Sequence, residues 1–274
     1  MKTISVAGGS QPEILELVKE AHKRYPNELE FVVFDTNENI DNENLWRYEQ
    51  CQDEKEMVFR AVSLVAKGEA QLLLKGIVQT HAILKEVLQK EHNLRDQKVL
   101  SHVAMVDIPK LNRTILLTDC GMNIAPDTET LSSIVDNAVG VAHKIGLTHP
   151  KVALLSAAEN VNPKMPSSVL TKEVSDRYQN SENCTVYGPI SLDLALSQEA
   201  VAHKKFEGPV AGDADILVVP SIDTGNCLYK SLTLFGDALV GGTIVGTKVP
   251  VILTSRSDKI ESKLHSLSFA LKQV

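Results

Sequence analysis

A chain of 274 residues with 43% hydrophobic content can bury a large core, about three quarters of its unfolded surface, and its length points to one large or two modest domains. The formal net charge of −7, with 28 Lys and Arg against 35 Asp and Glu and no basic run, excludes the cationic stripe of a nucleic-acid binder. No stretch of about 18 apolar residues is present to span a membrane, and the opening MKTISVAGGSQPE lacks the apolar core of a signal peptide, so a cytoplasmic protein is expected.

Short β-branched runs alternate with helical patterns along the chain. Strands are predicted at Ile4 to Ala7, Glu30 to Phe34, Gln71 to Leu74, Val99 to Val106, Thr114 to Leu117, Val152 to Leu155, Ile216 to Val219 and Val249 to Leu253. Strands separated by helices imply βαβ units, hence an α/β fold with mainly parallel sheets. The exception is the pair of runs joined by Pro109-Lys110-Leu111-Asn112, which reads as a local antiparallel pair. Gly8-Gly9 is a βα turn without the GxGxxG fingerprint of a dinucleotide site. The polar stretch between Asp35 and Glu54 is expected to be a disordered or mobile surface segment, anchored by Ile40, Leu45, Trp46 and Tyr48. Asp53 with Glu56 forms a capping box for a helix that Gly68 terminates. Helical spacing of Ile134, Val135, Ala138, Val141, Ala142 and Ile145 predicts a helix from Leu131 to Gly146, and Leu264, Leu267, Phe269 and Leu271 mark one from about Ile260 to Leu271.

Several strand ends carry candidate chemistry. LLLKGIVQT ends a strand in Lys75-Gly76 and starts a helix that carries Thr80; either Gly76 lets the backbone approach a ligand closely while Lys75 or Thr80 hydrogen-bonds an acyl or phosphate oxygen, or the segment is a plain βα turn with a solvent-facing lysine. In TDCGMNIAP, Asp119 either positions a substrate group or makes an Asx-turn. The loop VALLSAAENVNPKMPSS supplies the neutral donors Ser156, Asn160 and Asn162 at a strand's carboxyl end, where α/β folds form ligand crevices. In PVAGDADILVVPSIDTGNCLYK, Thr224-Gly225-Asn226 opens a helix, whose unpaired first-turn amides and dipole suit an anion, and Lys230 is a nearby cation. Thr254-Ser255-Arg256 follows another strand. A guanidinium binds phosphate in bidentate fashion, at about 1.5–3 kcal/mol per charge-assisted bond; the alternative is a Ser cap beside a surface Arg. Cys51, Cys120, Cys184 and Cys227 form no CxxC pair, against both structural zinc and a redox dithiol. The eight histidines lack ligand spacing, so no metal is expected; His81, His143, His203 and His265 read as surface or packing residues.

Taken in order, LLLKGIVQT, TDCGMNIAP, VALLSAAENVNPKMPSS, GPISLDLALS, PVAGDADILVVPSIDTGNCLYKSL and PVILTSRSD resemble the phosphate acyltransferase family. VNPKMPSS and the TGNCLYK form are closer to its butyryl branch than to its acetyl branch. The resemblance implies two α/β domains flanking a cleft, as in isocitrate and isopropylmalate dehydrogenases, divided here as 1–126 plus 248–274 and 127–247. It also implies a homodimer that exchanges CoA and phosphate on an acyl group, with acyl-CoA and inorganic phosphate as partners and no cofactor beyond CoA as substrate or product. Ser255 and Arg256 match the family's phosphate-binding Ser-Arg pair. The acetyl branch carries an Asp, proposed to act on the CoA thiol, where this chain has Ser262, leaving Asp258 and Glu261 as substitutes.

A missing base is a modest deficit. A thiol of pKa about 8.5 is already a few per cent ionised, so full deprotonation adds roughly 30-fold, whereas positioning two reactants contributes about 7–11 kcal/mol. Direct attack of phosphate on the thioester is expected, with Thr80, Ser156 and Asn226 as candidate oxyanion donors. Two other readings stand: a catalytically silent protein that binds CoA or acyl phosphate, and an NAD-linked dehydrogenase of the same fold.

Overall fold

The computed structural model describes residues 1–254 and 258–274. They divide into two compact units, 1–96 with 241–274, and 97–240. The strands in chain order are β1 (Lys2–Ala7), β2 (Leu29–Asp35), β3 (Arg47–Gln50), β4 (Leu72–Lys75), β5 (Ser101–Ile108), β6 (Arg113–Thr118), β7 (Lys151–Leu155), β8 (Thr185–Ile190), β9 (Ile216–Val218), β10 (Leu239–Val245) and β11 (Val251–Leu253). The helices are α1 (Pro12–Arg24), α2 (Glu54–Ala66), α3 (Thr80–Val87), α4 (Thr128–Lys144), α5 (Pro166–Arg177), α6 (Leu192–Leu196), α7 (Gln198–Lys204), α8 (Ile222–Phe235) and α9 (Ile260–Leu271).

In the first unit the strand order is β3-β2-β1-β4-β11-β10. Every neighbouring pair is parallel except β10 with β11. The apolar runs that read as continuous in sequence are buried on both faces, as parallel strands require. One face packs Ile4, Val6, Phe31 and Leu72 against Leu17 and Val18 of α1 and Leu264 and Leu267 of α9. Helix α2 starts where its capping signal stands: the Asp53 carboxylate accepts the Glu56 amide at 2.8 Å, while Glu56 reaches back to the Gln52 amide at 2.7 Å.

The stretch between Asp35 and Glu54 corrects the expectation of disorder. Trp46 is only 7% exposed, Ile40, Leu45 and Tyr48 pack on the same core, and Arg47–Gln50 adds a parallel edge strand to β2. Its polar composition reflects an edge strand, where side chains meet water, rather than a chain without a core contact.

In the second unit the order is β5-β6-β9-β7-β8. β5 and β6 form the expected antiparallel pair, turned by a single 3₁₀ turn at Pro109–Leu111 with Asn112 left-handed (φ 48°); the other neighbours are parallel. This pairing moves the division of the chain. The expected boundary after 126 would have put β5 and β6 in the first domain, but β6 hydrogen-bonds along β9, so 97–126 belong to the second unit. Helix α4 begins three residues before the predicted Leu131, where the Asp127 carboxylate accepts the Thr130 amide at 2.8 Å.

Candidate active site

In the first unit, two motifs far apart in sequence meet at the carboxyl ends of parallel strands. Register pairs Leu253 with Lys75, and the Thr254 hydroxyl donates to the Lys75 carbonyl at 3.1 Å. Gly76 sits against the first strand's turn: a Cβ there would lie 2.0 Å from the Gly8 carbonyl oxygen, so only glycine fits. Lys75 is buried, at 8% exposure, and its ammonium donates to the Gly76 carbonyl at 3.1 Å. The alternative of a solvent-facing lysine is therefore corrected. Thr80 is exposed as the first residue of α3. Thr254 leads into Ser255 and Arg256, which lie outside the described residues. Asp258 is half-buried and Glu261 is exposed in the first turn of α9; the Ser262 carbonyl accepts the Ser266 hydroxyl at 3.0 Å.

In the second unit, β6, β9, β7 and β8 end at one edge, and antiparallel β5 begins there. Asp119, just past β6, is 3% exposed. Its carboxylate accepts the amides of Gly121 (2.9 Å), Met122 (3.0 Å) and Asn123 (3.2 Å) and the Asn123 side chain (2.6 Å). This is the Asx-type arrangement, closed so fully that both carboxylate oxygens are occupied. Asn123 also donates to the Leu100 carbonyl at 2.9 Å, which ties the loop to the start of β5. Burial, with the Asp119 charge second, drives the Cys120 thiol far above its usual range. It is a neutral, buried group and a poor nucleophile.

Helix α8 starts earlier than Thr224, capped by Ser221, whose hydroxyl accepts the Thr224 amide at 3.4 Å. The Gly225 amide donates to the Ser221 carbonyl at 3.1 Å and the Ile222 amide to Ile124 at 3.0 Å. The expected free amide at Gly225 is thus corrected: it closes the helix's own first turn. Gly225 instead permits close approach, since a Cβ there would stand 2.4 Å from the Asp119 carbonyl oxygen. The TDCGMN and TGNCLYK motifs are in direct contact through this one residue.

Helix α8 divides the edge. Thr224, Cys227 and Leu228 line one side of a groove of about 990 Å³ whose other walls include Ser156, Ser167 and Ser191. Its lining holds hydroxyl and apolar side chains and no charged one. At about 100° per residue, Asn226 and Lys230 fall on the opposite side of α8, both exposed. Ser156 shares a hydrogen bond with Ser167 at 3.0 Å across the groove floor. Asn160 lines a different cavity, of about 620 Å³, beside Tyr178 and Tyr187. Asn162 shapes its own loop, its side chain accepting the Lys164 amide at 2.9 Å and its amide donating to Ser168 at 2.9 Å. The structure therefore joins Ser156 with Thr224, and Gly225 with Asp119, and places Asn160 and Asn162 outside both groups.

The model of the phosphate acetyl/butaryl transferase family matches residues 45–270. The chain belongs to this family. A branched-chain phosphotransacylase from Enterococcus faecalis V583 is 66% identical and superposes with a TM-score of 0.97, covering 100% of this chain and 99% of its own. The phosphate butyryltransferase of Clostridium acetobutylicum is 41% identical over 98% of this chain and 92% of its own length. A putative 4-hydroxythreonine-4-phosphate dehydrogenase from Salmonella typhimurium shares the fold alone, with a TM-score of 0.62 at 13% identity over 100% of this chain and 99% of its own. The expected dehydrogenase-like α/β architecture is thereby met within a transferase family.

Two groups escaped the sequence reading. His102, the second residue of β5, lies across from Asp119 when the register Ala104 to Leu117 is continued. A histidine in an otherwise apolar run was the available signal. Glu86, Glu91 and His92 also converge, with ligand-type atoms within 4.8 Å of one another. The His92 ring bonds Glu86 at 2.6 Å, which satisfies a buried imidazole without an ion.

Proposed function

We propose that the protein is a phosphate acyltransferase that converts a short-chain acyl-CoA and phosphate to acyl phosphate and CoA, with butyryl or branched-chain acyl groups as substrates. The observation that carries this is the match along the whole chain to a branched-chain phosphotransacylase at 66% identity. The family's Ser-Arg pair, here Ser255 and Arg256, supplies phosphate binding, with Lys75, Gly76 and Thr80 at the neighbouring strand end. The uncharged groove beside Thr224 and Ser156 suits an acyl or pantetheine chain, because burying either there leaves no charge unpaired. Phosphate attacks the thioester directly. The buried, protonated Cys120 supports this over an acyl-enzyme.

The working unit in this proposal is a cytoplasmic homodimer with no cofactor beyond CoA as substrate. A surface helix ordinarily hides an apolar stripe, yet Gly225 is the one buried residue of α8, and Leu234 and Phe235 are 71% and 84% exposed. A second copy covering this face accounts for them. Among the described residues no helix is long and apolar enough to cross a membrane, and all four cysteines are free thiols, as a reducing compartment leaves them.

The deciding assay follows CoA thiol release from acetyl-, butyryl- and isobutyryl-CoA with and without phosphate. Phosphate-dependent release is expected, fastest for the four-carbon chains, and Arg256→Ala is expected to lower kcat/KM for phosphate at least tenfold, about 1.4 kcal/mol. Release without phosphate would identify a thioesterase, and binding without release the silent protein.

A further inference from the structure

A metal ion needs several donors at one spot, and a chain can supply them from the two sides of a helix end, where a spacing such as HExxH does not show. The first unit does this after α3. The helix ends at Val87, Gln89 is extended (φ −63°, ψ 135°), a 3₁₀ turn runs over Lys90–His92, and Asn93 is left-handed at φ 48°. This reversal returns Glu91 and His92 to the side of Glu86, so that one donor atom from each lies within 4.8 Å of the other two.

We propose that Glu86, Glu91 and His92 form a binding site for a divalent cation of the Zn²⁺ class, with a water as fourth ligand on the side of the adjoining cavity. The inference stands apart from the transferase reading. His92 is 6% exposed, and its ring packs at 5.4 Å from that of Phe59 in α2, which holds the imidazole in place. Its Nε2 has a Glu86 oxygen at 2.6 Å and a Glu91 oxygen at 4.0 Å. The bond to Glu86 accounts for one carboxylate only, because a ring nitrogen has a single bonding direction. Glu91 is left beside the same nitrogen, and two like charges stand together. Among the described residues neither Glu is ion-paired with a Lys or Arg, and a dication between them removes the repulsion.

The distances suit such an ion. A tetrahedral Zn²⁺ with bonds of about 2.0–2.2 Å sets its donors about 3.4 Å apart. The 2.6 Å gap has to open and the 4.0 Å gap to close, each by less than about 1 Å, within the swing of a glutamate side chain. The donor set selects the metal: Mg²⁺ and Ca²⁺ prefer shells of oxygen, whereas an imidazole joined by carboxylates suits Zn²⁺. Glu86 and Glu91 also line a cavity of about 890 Å³ whose walls carry five carboxylates and two lysines, a balance that draws cations in. The bound ion clips the turn after α3 to the helix itself, and the fold gains the free energy of binding.

The test is calorimetric titration of the metal-free full chain with ZnCl₂, in a Cys227→Ala background because that thiol is exposed. One Zn²⁺ per chain is expected, bound at least tenfold more weakly by Glu91→Gln and by His92→Gln, with MgCl₂ giving no saturable heat at the same concentrations. Saturating Zn²⁺ is expected to raise the thermal midpoint by at least about 2 °C, and to leave that of Glu91→Gln unmoved. The Glu91 side chain is 66% exposed, so this variant keeps its fold and decides the matter if His92→Gln does not. Absence of saturable Zn²⁺ binding would overturn the proposal, as would an unchanged affinity in Glu91→Gln or Mg²⁺ bound as tightly as Zn²⁺.

Discussion

Gly225 is the residue at which geometry is tightest. Its side of α8 lies against the Asp119 carbonyl and Val219, with a hypothetical Cβ at 2.4 and 2.9 Å from them. Neither neighbour is the tip of a flexible side chain free to swing away, since the first is backbone and the second belongs to the core. Gly225→Ala is therefore expected to push the helix off the β6 turn and to destabilise the fold by about 1–3 kcal/mol, as overpacked cores do. Urea unfolding checks this, as a lower midpoint at an unchanged slope. The sequence made Gly225 visible as a small residue in a polar motif, and assigned it an exposed amide for a phosphate. The motif was legible but its reason was not, because the contact is with a residue 106 positions earlier (225 less 119), which no local pattern encodes. Lys75 repeats the lesson: the strand end was read from LLLK, while the strands that flank it, through Ala7 on one side and Leu253 on the other, come from distant parts of the chain.

At the scale of elements, patterning located strands that are apolar throughout and lost those that are not. The eight predicted strands correspond to β1, β2, β4, β5, β6, β7, β9 and β11. β3 was missed because RYEQ sits at a sheet edge and needs no apolar alternation. β8 and β10 were missed because TVYGPI and LVGGTIV carry Pro and Gly, residues that sequence rules treat as breaks. Gly188 in β8 is required by packing, since a Cβ would meet Leu154 at 2.5 Å. Helix α8 was recognised from the polar motif at its start, but its exposed apolar end was not. If that end meets a second copy, Leu234→Glu with Phe235→Glu is expected to halve the mass measured by light scattering while leaving far-UV circular dichroism unchanged. An unaltered mass would place the contact elsewhere.

The whole molecule should have a stability optimum bounded on both sides by buried groups that resist charging. His102 binds its proton less readily in the fold than when unfolded, so below about pH 6.5 the unfolded chain takes up protons that the native state refuses. Stability is full above that pH and declines as acid is added. The Cys120 thiol and the Tyr178 phenol are held protonated, the first chiefly by burial and the second by burial with the Asp136 hydrogen bond. Above about pH 8.5 the unfolded chain releases protons that the native state keeps, so stability declines again as base is added. Thermal unfolding from pH 5 to 10 is expected to trace this dome, and His102→Gln to flatten its acid side alone. The cysteines differ in a further useful way: three are buried, and Cys227 is exposed on the wall of the uncharged groove. A maleimide dye offered to the unaltered protein therefore has a single attachment point, on the same helix whose far side carries Asn226 and Lys230. The molecule comes supplied with its own fluorescent reporter position for anything that enters the channel.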